Sequence, residues 1–219
     1  LNVKSIMRNV SLRYALIILA IMLLFLNHHL GYSIGDSLLR SIGISPWTEG
    51  EGEGMHLPAM ICTLALVIVV PMALRHYRKR HTRVLRTMLI LFIVLQGVYP
   101  IVAKNTMFAI RHNTSGAASV DYDRNNISCQ YQSSGVGTIP TTCTFKIFNY
   151  GNASSVAITP SIFARIGYPP KNIVVQPAIV PVVPHTTRTI TAVFESSPIE
   201  GFEQATFNTN RVALKINIP

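Results

Sequence analysis

Met55-His-Leu-Pro-Ala-Met-Ile-Cys-Thr-Leu-Ala-Leu-Val-Ile-Val-Val-Pro-Met-Ala-Leu74 carries no charge, and Arg75-His-Tyr-Arg-Lys-Arg80 follows it at once. A helix needs about 20 apolar residues to cross the hydrocarbon core of a bilayer. An apolar run alone in lipid can pair its backbone groups only as a helix. Working outward, a second apolar run covers about 14–33 and a third about 84–104. The bulk composition agrees. Of 219 residues 49% are hydrophobic and 13% charged, with a mean hydropathy of +0.36.

The net charge of +10 invites a nucleic-acid partner, but its placement argues for a bilayer instead. Lys4, Arg8 and Arg13 precede the first run; Arg75, Arg78, Lys79, Arg80, Arg83 and Arg86 fill the connection between the second and third. Between the first and second runs Asp36, Glu49, Glu51 and Glu53 outnumber Arg40. Basic residues beside apolar spans stay on the cytoplasmic side, where anionic headgroups also attract them. The pattern therefore predicts three transmembrane helices, with the N-terminus and the basic loop inside. Residues 34–54 and everything after about 105 then lie outside. The first run also has the basic front and apolar core of a signal peptide. Asn27, His28 and His29 follow it with no small-residue cleavage pattern, so a retained helix is expected. Either reading places 34–54 outside.

Within that outer segment, Leu38, Leu39 and Ile42 fall on one side of a helix, which reads either as a short interfacial helix or as a loop. Glu49-Gly-Glu-Gly-Glu-Gly54 reads as a flexible acidic loop, too loose to cage a cation. His28, His29 and His56 share the outer boundary. Imidazoles from two helices can ligate a metal, but these lack a common helix-face spacing and read as interfacial polar residues, so no metal site is assigned. Gln96 can hydrogen-bond within the third run. Cys62 reads as an apolar filler.

After residue 117 the period changes to two. Ile127, Cys129 and Tyr131 alternate with polar residues, as do Cys143, Phe145 and Ile147, then Ile190, Ala192 and Phe194, then Val212, Leu214, Ile216 and Ile218. Alternation marks half-buried strands. Val156–Thr159 and Asn172–Val175 add candidates, with turns at Asn149–Asn152, Gly167–Pro170 and Ser197-Pro198. Six to eight short strands predict a two-sheet sandwich. The fold class expected is thus a membrane α-helical anchor at 1–112 carrying an all-β, immunoglobulin-like sandwich at 113–219. The midpoint between Cys129 and Cys143 falls in Gly135-Val-Gly137. A hairpin there sets the two cysteines opposite each other, and an external compartment lets them oxidise, so a disulfide is predicted. The C-x-x-C spacing of redox pairs is absent. Asn113-Thr-Ser115, Asn126-Ile-Ser128 and Asn152-Ala-Ser154 are glycosylation sequons on the correct side.

Cys143-Thr-Phe-Lys-Ile-Phe-Asn-Tyr-Gly-Asn152 resembles the strand-to-turn segment of bacterial immunoglobulin-like domains of the CARDB type. Pro181 or Pro184, the Thr-rich strand Thr186–Phe194 and the closing strand Arg211–Ile218 extend the likeness over about 120–219. The resemblance implies adhesion, assembly or accessory roles on envelope proteins and no catalytic residues; the disulfide lies outside its pattern. The residues agree in lacking a Gly-rich phosphate loop, an H-E-x-x-H and a G-x-S-x-G. His112 and His185 stand alone in sequence. No cofactor is expected. The function expected is that of a membrane-anchored accessory or structural protein whose external sandwich contacts another membrane or envelope protein. The alternatives are a sensor coupling the ectodomain to the basic loop, and a transporter or channel subunit.

Overall fold

A computed structural model describes residues 10–49, 52, 54–78, 83–132, 139–164, 171–196, 206–209 and 212–217. Residues 1–103 and 104–219 form two compact units, dividing nine residues before the boundary read from sequence.

The first unit holds α1 (Val10–Phe25), α2 (Ile34–Ser41), α3 (Leu57–Tyr77) and most of α4 (Val84–Ile110). α3 and α4 are long and apolar enough to cross a membrane, and few of their described side chains are buried. At ~1.5 Å per residue α3 is about 32 Å long. Pro58 occupies its first turn, where a missing N–H costs nothing, while Pro71 and Pro100 are accommodated inside α3 and α4. Ile18 and Met22 of α1 and Ala73 of α3 make a small buried cluster, edged by Tyr14, Leu66, Val69, Tyr77, Met88, Phe92 and Leu95.

The first apolar run behaves differently from its sequence. Its helix stops at Phe25, eight residues short of the expected end, and its 16 residues make about 24 Å. The chain then folds back on itself. The His28 N–H donates to the Tyr32 carbonyl, the Leu30 N–H to His28 Nδ1, and the Gly31 N–H to the His28 carbonyl. Gly31 sits at φ +80°, a conformation open to glycine at no steric cost. Among the described residues two helices have the length to span, and three spans are not seen.

The second unit is the β domain, entered through a short 3₁₀ turn, Gly116–Ser119. Its strands are β1 (Val120–Gln132), β2 (Ile139–Asn149), β3 (Ser155–Ala164), β4 (Lys171–Val174), β5 (Ala178–Pro181), β6 (Thr186–Ser196), β7 (Thr206–Thr209) and β8 (Val212–Asn217). One antiparallel sheet runs β6-β2-β1-β7. In the other, β3 pairs with β8 along one edge and with β4 and β5 along the opposite edge. Inward residues of both sheets meet in one core, including Tyr131, Phe145, Val156, Ile162, Phe194 and Leu214. The Tyr122 hydroxyl accepts the buried Leu214 N–H at 3.1 Å and so ties β1 to β8. Ser196 Oγ donates to the Ile139 carbonyl at 2.9 Å and lies 2.8 Å from Thr141 Oγ1.

The turn after β2 shows why Asn149-Tyr-Gly-Asn152 has its residues. Asn149 Nδ2 donates to the Ala153 and Val183 carbonyls, closing a buried end of the sandwich. A Cβ at Gly151 would collide with the Thr114 carbonyl, which accepts the Asn152 N–H.

Cys129 and Cys143 are directly opposite across β1 and β2, 4.1 Å apart at Cα, and form a disulfide. The Gly135–Gly137 turn lies outside the described residues, as do Gly167–Pro170 and Ser197-Pro198. A cross-link over this separation of 14 restricts the unfolded chain by about 3 kcal/mol. Replacing both cysteines by serine is therefore expected to lower the unfolding free energy of the β domain by about 2–4 kcal/mol. Pulse proteolysis of the full chain in detergent measures this, and an unchanged midpoint would contradict it.

Candidate functional site

The segment between α1 and α3 is built around one carboxylate. Ser33 caps α2, its hydroxyl accepting the Asp36 N–H at 3.1 Å while Asp36 Oδ2 accepts the Ser33 N–H at 2.7 Å. This reciprocal pairing satisfies two of the donors that every helix start leaves open. Asp36 is buried, and its other oxygen accepts from His56 Nε2 at 2.6 Å. The His56 ring lies 4.6 Å from that of Trp47. Main-chain bridges join Asn27 to Ser33 and Trp47 to His56, and the Leu57 N–H donates to the Pro46 carbonyl. Of the acidic Glu49–Gly54 stretch, Gly50, Glu51 and Glu53 lie outside the described residues.

His28 and His29 do not join His56. His28 meets Tyr32 edge-on at 4.2 Å and His29 at 5.4 Å. Among the described residues no group of three His, Cys, Asp or Glu side chains converges to hold a metal. Arg75, Arg78, Arg83 and Arg86 of the basic connection are exposed, with Arg75 and His76 in the last turn of α3, where cations suit the helix dipole. Lys79 and Arg80 lie outside the described residues. Cys62 is buried.

The β domain brings together residues that sequence reading left apart. His112 and His185 stack at 4.2 Å. His185 adopts φ +53°, unusual outside glycine. Its ring supports that turn: Nδ1 donates to the Tyr150 carbonyl at 2.9 Å and Nε2 lies 3.0 Å from the Asn152 side-chain amide. Arg111 stands over the Tyr150 ring, and Phe108 meets the same ring edge-on at 5.0 Å. The bonded partners of His185 make a structural brace and supply no nucleophile.

Beside this brace an open depression of about 460 Å³ is lined by Arg111, Thr114, Val120, Asp121, Leu214 and Ile216, among others. Arg111 and Asp121 face each other at 3.7 Å, longer than a direct hydrogen bond. Burial pushes the Asp121 carboxyl above its usual range, against the pull of the Tyr122 N–H, Arg111 and Arg124. Sequence reading missed this pair because nothing in the spacing of 111 and 121 announces a helix end meeting a strand start.

The third feature is an open sheet edge. β2 and β6 pair without a bulge over all eleven residues. The Glu195 carbonyl points away from β2, since it accepts the Gln176 N–H at 2.8 Å, and its opposite number Pro140 has no N–H to give. Strand alternation then turns the main-chain groups of Thr187, Thr189, Thr191 and Val193 the same way. Among the described residues nothing pairs with them.

No family model, curated protein or solved structure matches the chain.

The sign of the Asp121 shift gives a test. A raised pKa means that the folded state holds the proton more tightly. Ionisation therefore costs stability as pH rises through the ordinary value of 3.8 toward the folded one. Asp121→Asn is expected to raise β-domain stability at pH 7, with the gain disappearing below 3.8. Denaturant midpoints against pH check this; a loss of stability at pH 7 would mean that the Arg111 pairing outweighs burial.

Proposed function

We propose that this chain is a membrane-anchored accessory protein whose external β domain holds another membrane or envelope protein by accepting an added strand at the outer edge of β6. The observation that carries the reading is the unbulged run Thr187–Val193, whose outward main-chain groups pair with nothing among the described residues. Sheet edges with unpaired N–H and C=O groups bind extended segments, the main chain supplying affinity and alternate side chains specificity. Thr187, Thr189, Thr191 and Val193 are exposed on the outer face, a surface of small β-branched side chains that a partner strand can pack on. The resemblance to envelope immunoglobulin-like modules points the same way.

For the anchor, we read α3 and α4 as spans, with α1 completing a three-helix bundle. Exposed apolar side chains along α3 and α4 such as Leu64, Val67, Leu89 and Ile93 suit lipid and not water. Arg75–Arg86 on the cytoplasmic side and the disulfide in an oxidising compartment are the topology that fits both charge and redox chemistry.

The test separates edge from fold. Proline in place of Thr191 removes an N–H that faces away from β2, so the ladder with β2 survives. A photoreactive residue at Thr189, irradiated in native membranes, is expected to give one dominant cross-linked adduct, lost when Thr191→Pro is added while the disulfide-bonded domain stays protease-resistant. Diffuse labelling unaffected by the proline would refute the strand-addition mode.

A further inference from the structure

The outer segment has an exposed face that the accessory role does not use. Ile34 and Leu38 of α2 and Ile42, the residue that caps its C-terminal end, are spaced four apart and all exposed, and Leu38 and Ile42 are more than half so (57% and 63%). Ile44 and Met55 are exposed beside this segment. α2 is anchored beside this stripe by buried Gly35 and across from it by buried Asp36, and the Asp36–His56 pair fixes the helix to the start of α3. The anchoring also sets a level. A Cβ on Gly35 would come within 2.8 Å of the Leu24 carbonyl and 2.9 Å of Pro58 Cβ. Leu24 is in the last turn of α1 and Pro58 in the first turn of α3. The α2 backbone is thus pressed against both apolar helices where each of them ends.

We propose that α2 lies in the outer interface of the bilayer, with Ile34, Leu38 and Ile42 in the headgroup–acyl boundary. This rests on the membrane reading above. The level of α2 selects lipid as the occupant: a stripe continuous with the ends of lipid-facing helices meets the boundary of the hydrocarbon, where short amphipathic helices bury their apolar side. Charge agrees. The helix carries one acid, Asp36, turned inward onto Ser33 and His56, while exposed Ser37 and Ser41 flank the stripe on the headgroup side. Trp47, the sole tryptophan, meets His56 at a tilt, 4.6 Å between ring centres, at the same end, a place such rings prefer. The segment is then a platform fixed on the membrane surface.

The experiment uses the full chain in phosphatidylcholine–phosphatidylglycerol liposomes. Nitroxide labels are placed singly by Leu38→Cys, Ser37→Cys or Leu64→Cys in a Cys62→Ala background that keeps the disulfide. Collisions with oxygen and with a water-soluble nickel chelate report depth. The expected result is a loss of nickel collisions at 38 relative to 37, with oxygen collisions high at 38 and higher still at 64. Nickel access at 38 with 64 shielded overturns the interfacial helix and leaves the membrane reading standing. Nickel access at 64 as well overturns both. A label at 38 shielded from nickel and oxygen alike shows a protein partner on the stripe and also overturns the proposal. The unlabelled chain gives an independent measurement. Trp47 emission is expected to fall with lipid brominated near the headgroup end of the acyl chain, and Leu38→Glu should recover part of the loss. No quenching in the unaltered chain overturns the proposal.

Discussion

Every backbone N–H and C=O taken out of water must find a partner within the protein, and this chain meets the demand in two ways. In the first unit the pairing is internal to each helix, which is the solution that lipid permits. In the second it runs between strands, with both sheets closing on one core. The places of interest are those where either solution ends. The helices of the first unit stop at loops that must supply substitute partners, and at the start of α2 Ser33 and Asp36 supply them. The sheet of the second unit stops at β6, where no substitute is present among the described residues. One constraint thus accounts for the ordered segment around α2 and for the open edge among the described residues.

The two ends differ in what they ask of the surroundings. Around Asp36 the polar groups are satisfied and what remains exposed is apolar, a demand that an interface with lipid meets. Along β6 the apolar residues are largely inward and what remains is polar main chain, a demand that another strand meets. The brace of His112, His185, Tyr150 and Arg111 belongs to neither. It holds a turn whose Gly151 lies against the Thr114 carbonyl, joining the residues that follow α4 to the end of β2.

Much of the β domain was legible because period-two patterning is a local signal. Cys129 facing Cys143 follows from a hairpin midpoint, and the runs around Phe145, Ile190 and Leu214 are strands where alternation places them. The short, polar β7 carries no such alternation. The apolar runs were legible as helices, but the end of α1 was read too late: Asn27, His28, His29 and Gly31 already break the apolar run, and hydrogen bonds close the turn through His28 and Gly31. Ser33-x-x-Asp36 has the form of a helix-start signature and is the one clue to α2 that local reading offered and did not use. The Asp36–His56 pair, twenty residues apart, the stack of His112 on His185 and the facing of Arg111 and Asp121 arise from tertiary contact. Composition and spacing do not register them.

The account turns on the β domain and the basic connection lying on opposite sides of one membrane. Single cysteines at Asn152 and at Arg78, each in a chain lacking Cys62, report this directly in sealed right-side-out vesicles treated with a membrane-impermeant maleimide. The account predicts rapid labelling at 152 and labelling at 78 only after the vesicles are opened. Labelling of both in sealed vesicles, or of 78 alone, would contradict it.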